Sequence, residues 1–212
     1  MMTKQEIPVD SSGNALPLPA TSVLTMVLVL SQNWMITSGD DVKPVRNWAS
    51  REDRAYFSYI RRLSSLNIMG NKTFEEIASF IPETGGREFI VMTKSPGVMR
   101  EKYTNLQRVH FTSESPEEIS KKIALHVQSN PSGVALHLGG AESALAFLNS
   151  SSPPQEVLLT IEPIMFEHGI LFPAESIINE KYESIGEYVL NDSGTLLRHL
   201  RLRTDNHRST AK

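Results

Sequence analysis

The chain contains no cysteine, no long hydrophobic run and no marked excess of either charge, and each absence excludes a class of function. Without cysteine, and with six histidines that show no metal-ligand spacing, the chain forms no disulfide and predicts no metal site. A net charge of −3 provides no overall basic field for nucleic acid. The most apolar stretch, residues 22–30, is far too short to span a bilayer. We therefore expect a cytoplasmic protein that binds neither nucleic acid nor membrane.

Composition divides the chain into one domain with two flexible ends. Its 212 residues can bury a full core as a single domain. Residues 1–20 are rich in proline, serine and glycine and predict a flexible N-terminal arm. Alternating strand and helix patterns occupy residues 21–205, and residues 206–212 predict a flexible tail.

The alternation of patterns predicts an α/β fold. The run VLTMVLVLS is continuously apolar and indicates a central strand that is buried on both faces. Helices are indicated by capping-box spacing at Ser50 to Asp53 and again at Ser115 to Glu118. Strand-like segments meet at the turn NDSG near the C-terminus, which is typical of a hairpin. We expect a mainly parallel central sheet that ends in an antiparallel C-terminal hairpin.

A candidate anion site lies in the stretch NIMGNKTFEEI. An apolar strand pattern stops at Gly70, and Thr73 to Glu76 has the capping-box spacing that opens a helix. The free amides and positive dipole end of that helix, with Lys72 beside them, would suit a phosphate. An ordinary strand-to-helix turn is the alternative for this motif taken alone.

Two further predicted strands end in similar chemistry. Ligands of parallel α/β sheets bind at the carboxyl ends of the strands, so three such turns together favour a phosphate-bearing ligand. The chain has neither GxGxxG nor a P-loop, which excludes the usual nucleotide fingerprints. The candidate ligand-binding residues of the three turns are Gly70, Asn71, Lys72 and Thr73; Thr93, Lys94 and Ser95; and Gly139, Gly140, Ala141 and Glu142.

Six motifs follow one another in an order and spacing that resembles a known family. They are SxxxxIT (31–37), WASRED (48–53), IMGNKTFE (68–75), VMTKSP (91–96), LGGAE (138–142) and LTIEPIMFEHGILF (159–172). Together they resemble the dihydrofolate reductase-like fold, and specifically the riboflavin-biosynthesis reductase (RibD C-terminal domain) family. The resemblance extends over about residues 22–203.

The resemblance implies an NADPH-dependent reductase, usually a homodimer, that acts on a pyrimidine-like or pterin-like heterocycle. In such enzymes the first and third glycine turns hold the cofactor phosphates. The turn of Thr93, Lys94 and Ser95 would lie near the adenosine 2′-phosphate.

The resemblance also implies the substrate-binding residues. In dihydrofolate reductases a tryptophan precedes the substrate-binding acid by five positions, as Trp48 precedes Asp53 here. Ser31, Trp48 and Asp53 are thus the expected substrate-binding residues, with Asp53 as the catalytic acid. From spacing alone, Asp53 could instead merely cap its helix with Ser50.

Two departures from the family pattern fall at positions that the resemblance associates with the substrate and not with the cofactor. Asn33 and Trp34 stand where family members have Asp-Gly, and Leu138 stands where riboflavin-pathway enzymes often have a glutamate. Three hypotheses therefore stay open. The chain is a reductase like the 5-amino-6-(5-phosphoribosylamino)uracil reductase, a dihydrofolate or dihydropteridine reductase, or a non-catalytic nucleotide-binding relative.

Overall fold

A single sheet forms the centre of the computed structural model, which describes residues 7–37, 45–84 and 86–204. Within these ranges the strands are β1 (Leu24–Ser31), β2 (Ser64–Gly70), β3 (Glu88–Met92), β4 (Val109–Thr112), β5 (Val134–His137), β6 (Glu156–Glu162), β7 (Tyr182–Val189) and β8 (Leu196–Leu202). Their order across the sheet is β4-β3-β2-β5-β1-β6-β8-β7. The first six of these run parallel, and β8 runs antiparallel to both of its neighbours, β6 and β7. The predicted α/β class and C-terminal hairpin are confirmed.

Helices cover both faces of the sheet. They are α1 (Arg51–Leu63), α2 (Asn71–Ile77), α3 (Pro96–Lys102), α4 (Pro116–Ser129), α5 (Ala141–Asn149) and α6 (Glu175–Lys181). The apolar side chains of α4, α5 and α6 pack on one face, whereas those of α1, α2 and α3 pack on the other. No helix within the described ranges has the length and apolar character required to cross a bilayer.

The central position of β1 follows from its sequence. Met26, Leu28 and Leu30 point to the face covered by α5 and α6, whereas Val27 points to the face covered by α1. Because both faces are buried, the strand tolerates an uninterrupted apolar run. The predicted central strand is confirmed.

The helix starts follow two of the three predicted caps. Ser50 caps α1 by accepting a hydrogen bond from the Asp53 amide, and Ser115 forms a complete capping box with Glu118. The cap predicted at Thr73 is wrong. Helix α2 begins at Asn71 directly after Gly70, so Thr73 already lies inside the first turn and makes no side-chain cap.

The described part of the predicted arm, residues 7–20, lies against the domain. Leu16 is buried in the core beneath α1, and the Tyr56 hydroxyl donates a hydrogen bond to the Pro17 carbonyl at 2.7 Å. The Ser11 amide donates to the Val189 carbonyl at the end of β7. Residues 1–6 and the predicted tail, 206–212, lie outside the described residues.

Candidate active site at the carboxyl ends of the strands

The parallel sheet brings the three predicted turns to one edge. Gly70 at the end of β2 pairs with Met92 of β3, so the turn of Thr93, Lys94 and Ser95 begins next to it. On its other side β2 pairs with β5, which leads into Gly139. The residues that we expected to bind a cofactor are therefore neighbours in space.

The two glycine turns are in direct backbone contact. The Gly70 amide donates to the Gly139 carbonyl at 3.3 Å. Gly139 and Gly140 have φ values of +94° and +88°, a region that side chains disfavour. A Cβ at Gly140 would lie 3.1 Å from the Gly70 nitrogen, whereas a Cβ at Gly139 would have no atom within 4 Å. Gly140 is thus required by the packing of the turns, and Gly139 borders open space.

The groups around these turns are suited to an anion, with one exception. Gly140 precedes the first turn of α5, whose amides point out of the helix. Lys72 and Lys94 are exposed on the neighbouring turns, and the Thr93 hydroxyl accepts a hydrogen bond from the Ser95 amide. Glu142 is also exposed in the first turn of α5, where its negative charge opposes that of a phosphate.

Asp53 forms a second part of the site, beneath the end of β6. Its side chain is almost fully buried, and its Oδ1 accepts a hydrogen bond from the Thr160 hydroxyl at 2.7 Å. Burial, together with the negative charge of Glu162, raises the pKa of Asp53 to about 7, against the opposing hydrogen bond from Thr160. The carboxyl group therefore exchanges its proton near neutral pH.

Glu162, and not Asp53, accepts the hydrogen bond from the backbone amide of Ser50 at the start of α1. Its Oε1 accepts the Ser50 amide at 2.6 Å and its Oε2 accepts the Thr195 hydroxyl at 2.8 Å. In a capping box the side chain of the third helical residue, here Asp53, would accept a hydrogen bond from the Ser50 amide. Glu162 of β6 accepts that hydrogen bond instead. The interpretation of the Asp53 carboxylate as a helix cap is therefore wrong, and its side chain is directed to Thr160 instead.

The other two expected substrate-binding residues, Trp48 and Ser31, lie near the carboxyl ends of β6 and β1. Trp48 lies edge-on to Phe166 with ring centroids 5.3 Å apart, and its indole Nε1 is buried without a hydrogen-bond partner among the described residues. Ser31 pairs with Glu162 in adjacent strands. Its hydroxyl is fully buried and bonds within its own turn, donating to Asn33 Oδ1 and accepting from the Met35 amide. A substrate contact by Ser31 stays a prediction.

The two departures from the family pattern have local structural roles. Asn33 donates to the Phe166 carbonyl and ties the turn after β1 to the segment after β6. Trp34 has φ +61°, a left-handed conformation that residues with a side chain disfavour, and it forms the turn after β1. Leu138 is half-buried and packs between the apolar clusters beneath α1 and α2.

Three polar residues of the acid site were missed from the sequence: Thr160, Glu162 and Thr195. Thr160 and Glu162 are two apart at the carboxyl end of strand β6, and residues two apart share one face of a strand. A polar pair directly after the apolar residues 157–159 was the signal that could have found them. Thr195 comes from the hairpin, and no local pattern marks it.

The geometry defines a parallel α/β protein with a buried acid and a set of glycine turns along one sheet edge. No protein-family model matches the chain, and neither does any curated protein. The functional assignment therefore depends on this geometry and on the motifs.

Proposed function

We propose that the chain is an NADPH-dependent reductase of a pyrimidine-type heterocycle, with a dihydrofolate reductase-like fold. Its reaction would resemble that of the 5-amino-6-(5-phosphoribosylamino)uracil reductase. The observation that carries the proposal is Asp53, a buried acid with a pKa of about 7. Its partner Thr160 lies near the carboxyl end of β6, at the same end of the parallel strands as the glycine turns. Perturbed acids in such positions are candidates for acid–base chemistry.

The chemistry requires both a hydride and a proton. Reduction of a C=N bond places a hydride on carbon, which NADPH would supply, and a proton on nitrogen. With a pKa of about 7, Asp53 holds a proton in a large fraction of molecules at neutral pH and can return to the carboxylate after donating it. Thr160 holds Oδ1, which orients the carboxyl group for a heterocycle amine or ring nitrogen.

The glycine turns fit the cofactor's phosphates. Gly139 has a positive φ and open space beside its Cα, so a phosphate can approach the backbone there. The first-turn amides of α5 and the nearby residues of the Gly70 turn would hold the diphosphate. Lys94, beside Thr93 and Ser95, would pair with the 2′-phosphate, which NADH lacks.

The cofactor assignment is tested by calorimetry with NADPH and NADH. We expect NADPH to bind more tightly, and Lys94→Gln to remove most of the difference while leaving NADH affinity unchanged. Lys121→Gln, at an exposed position in the second turn of α4, is the matched control. Equal affinity of the wild-type protein for both nucleotides, or no binding of either, would refute the assignment.

The role of Asp53 is tested by Asp53→Asn with a panel of aminopyrimidine and pterin substrates. We expect turnover to fall by roughly a hundredfold or more with NADPH affinity unchanged, because the amide cannot donate the proton. Turnover of a pterin alone would instead support a dihydropteridine or dihydrofolate reductase. NADPH binding without turnover of any heterocycle would support a non-catalytic relative.

The proposal includes a homodimer built with the C-terminal strands. Strand β7 is an edge strand, and Ile185 and Val189 on it are exposed apolar residues. An unpaired edge with apolar side chains is a ready surface for association. Light scattering at micromolar concentration should give twice the chain mass of 23.7 kDa, and a monomer would contradict this part.

A further inference from the structure

A group of arginines lies at the amino ends of the strands, on the opposite edge of the sheet from the candidate active site. Arg61 and Arg62 are in the last turn of α1, which leads directly into β2. Arg87 immediately precedes β3, and Arg108 immediately precedes β4. Since β4, β3 and β2 are adjacent and parallel, their amino ends bring these side chains together.

Three of these arginines line a surface cavity of about 360 Å³. Arg62, Arg87 and Arg108 form its basic wall, and Ser65, His126 and Asn130 add further polar groups. The His126 ring bonds the Ser65 hydroxyl at 2.9 Å through Nε2. The volume lies in the range of sites for small ligands and exceeds what a single inorganic ion fills.

The positive charge of this cavity is offset only in part by the described residues, through the one carboxylate in its wall, Glu88. None of the ion pairs found among them involves Arg61, Arg62, Arg87 or Arg108. Burial and the charges of Arg61 and Arg62 lower the pKa of Arg87. The acid of the cavity wall, Glu88, lies with its Oε2 3.5 Å from His126 Nδ1.

Donor atoms are also left without acceptors. The Nε atoms of Arg61 and Arg87 are buried with no hydrogen-bond partner among the described residues. Arg62 and Arg108 each donate one N–H to a backbone carbonyl, those of Ser58 and Gly86, which fixes the guanidinium groups and leaves their other donors available. Buried donors of this kind are normally satisfied, so the Nε of Arg87, which lines the cavity and is unpaired within the described residues, favours a bound acceptor there.

We propose that this arginine cavity binds a small multivalent oxyanion, a phosphate monoester or a diphosphate. Guanidinium groups match phosphate oxygens with two parallel hydrogen bonds, and several converging positive charges favour an anion with more than one negative charge. The basic group is confined to one cavity of a chain with net charge −3, which suits a small ligand better than an extended nucleic-acid backbone.

The cavity is separate from the candidate active site and does not depend on the function proposed for it. Strand β2 runs from Ser64, in the cavity wall, to Gly70 at the glycine turns. With a rise of about 3.3 Å per residue, its seven residues place the two ends roughly 20 Å apart. A phosphate compound can thus occupy the cavity while a nucleotide occupies the turns.

The test is calorimetric titration of the full chain with pyrophosphate, at constant ionic strength adjusted with chloride. We expect binding that weakens roughly tenfold or more in Arg87→Gln and in Arg108→Gln, since each loses a charged hydrogen bond to the anion. Arg203→Gln, which follows β8 on the far side of the sheet, removes the same charge and should leave the affinity unchanged.

Two comparisons separate this site from others. Lys72→Gln should leave pyrophosphate binding intact if the arginine cavity holds it, whereas NADPH binding should survive in Arg87→Gln. The proposal is overturned if pyrophosphate does not bind the wild-type chain. It is likewise overturned if Arg87→Gln and Arg108→Gln bind pyrophosphate as well as Arg203→Gln does. It is also overturned if a single-stranded oligonucleotide binds the cavity and pyrophosphate does not. Circular dichroism of each variant verifies folding, and Arg62→Gln replaces any variant that is unfolded.

Discussion

At the scale of single residues, two carboxyl groups under one sheet edge have different surroundings. Glu162 accepts hydrogen bonds from the Ser50 amide and the Thr195 hydroxyl, so both of its oxygens are engaged in holding α1 and the hairpin together. The Asp53 carboxyl group accepts one hydrogen bond, from Thr160. No second donor to it is found among the described residues. This difference leaves Glu162 with a structural role and leaves Asp53 available for chemistry.

The raised pKa of Asp53 predicts an unusual dependence of stability on pH. The unfolded chain releases this proton near pH 4, whereas the folded protein keeps it to about pH 7. Between these values the native state binds more protons, so the free energy of unfolding falls as the pH rises through this window. Asp53→Asn removes the effect. Relative to the wild type, the variant should gain stability between pH 4 and pH 8, by at most about 4 kcal/mol.

Urea unfolding of both proteins at four or five pH values measures this difference. Asp192→Asn, at an exposed acid in the turn between β7 and β8, is the matched control and should run parallel to the wild type. A difference between Asp53→Asn and the wild type that is constant over the whole range would show that the Asp53 carboxyl titrates normally and is not buried.

At the scale of helices and strands, two segments with the same capping-box spacing differ in where their helices begin. Thr73 to Glu76 and Ser115 to Glu118 both have capping-box spacing, but only Ser115 stands at the start of its helix. Ser115→Ala should therefore lower the free energy of unfolding by about 1 kcal/mol. Thr73→Ala should change it by less than about 0.5 kcal/mol, since it removes no cap.

The two variants are compared by chemical denaturation in the same buffer, each serving as the other's reference. A loss on Thr73→Ala as large as that on Ser115→Ala would mean that α2 begins later than Asn71. Equal and negligible losses would mean that the Ser115 box does not stabilise α4.

The elements that could be predicted from the sequence are those with a long or well-bounded pattern. The apolar run of β1, the caps of α1 and α4, and the glycine-bounded β5 all carry such signals. Strand β4 has only four residues, and α3 and α6 have seven each, which is too short for a periodic pattern. These elements depend on packing against neighbours that are distant in the sequence.

The candidate site was predictable where its residues are consecutive and unpredictable where they come together through pairing. The glycine turns could be found because each is a short motif at a strand end. The contact of Thr160 with Asp53 joins residues 107 positions apart. That of Thr195 with Glu162 requires β8 to fold back along β6. The packing of α1 on β6 determines the first contact and sheet register determines the second, and neither is encoded in a local pattern.

At the scale of the whole molecule, the carboxyl and amino ends of the parallel strands carry different chemistry. The described arm covers part of the sheet face between these two ends. The carboxyl edge has the buried acid and the glycine turns, and the amino edge has the arginine cavity. Residues 7–20 extend over the α1 face, where the backbone of Ser11 bonds the end of β7 and that of Pro17 bonds Tyr56. The N-terminal segment thus forms part of the layer that holds α1 against the sheet.

This packing predicts that two leucines of the arm differ sharply in their contribution to stability. Leu16 is 4% exposed and packs with Tyr56 and Leu190, whereas Leu18 is 42% exposed. Leu16→Ala should lower the free energy of unfolding by about 2 to 3 kcal/mol, because it removes buried methyl groups and leaves a cavity. Leu18→Ala should lower it by less than about 1 kcal/mol. Urea denaturation measures both, and equal small losses would mean that the arm is detached from α1 in solution, as a flexible segment would be.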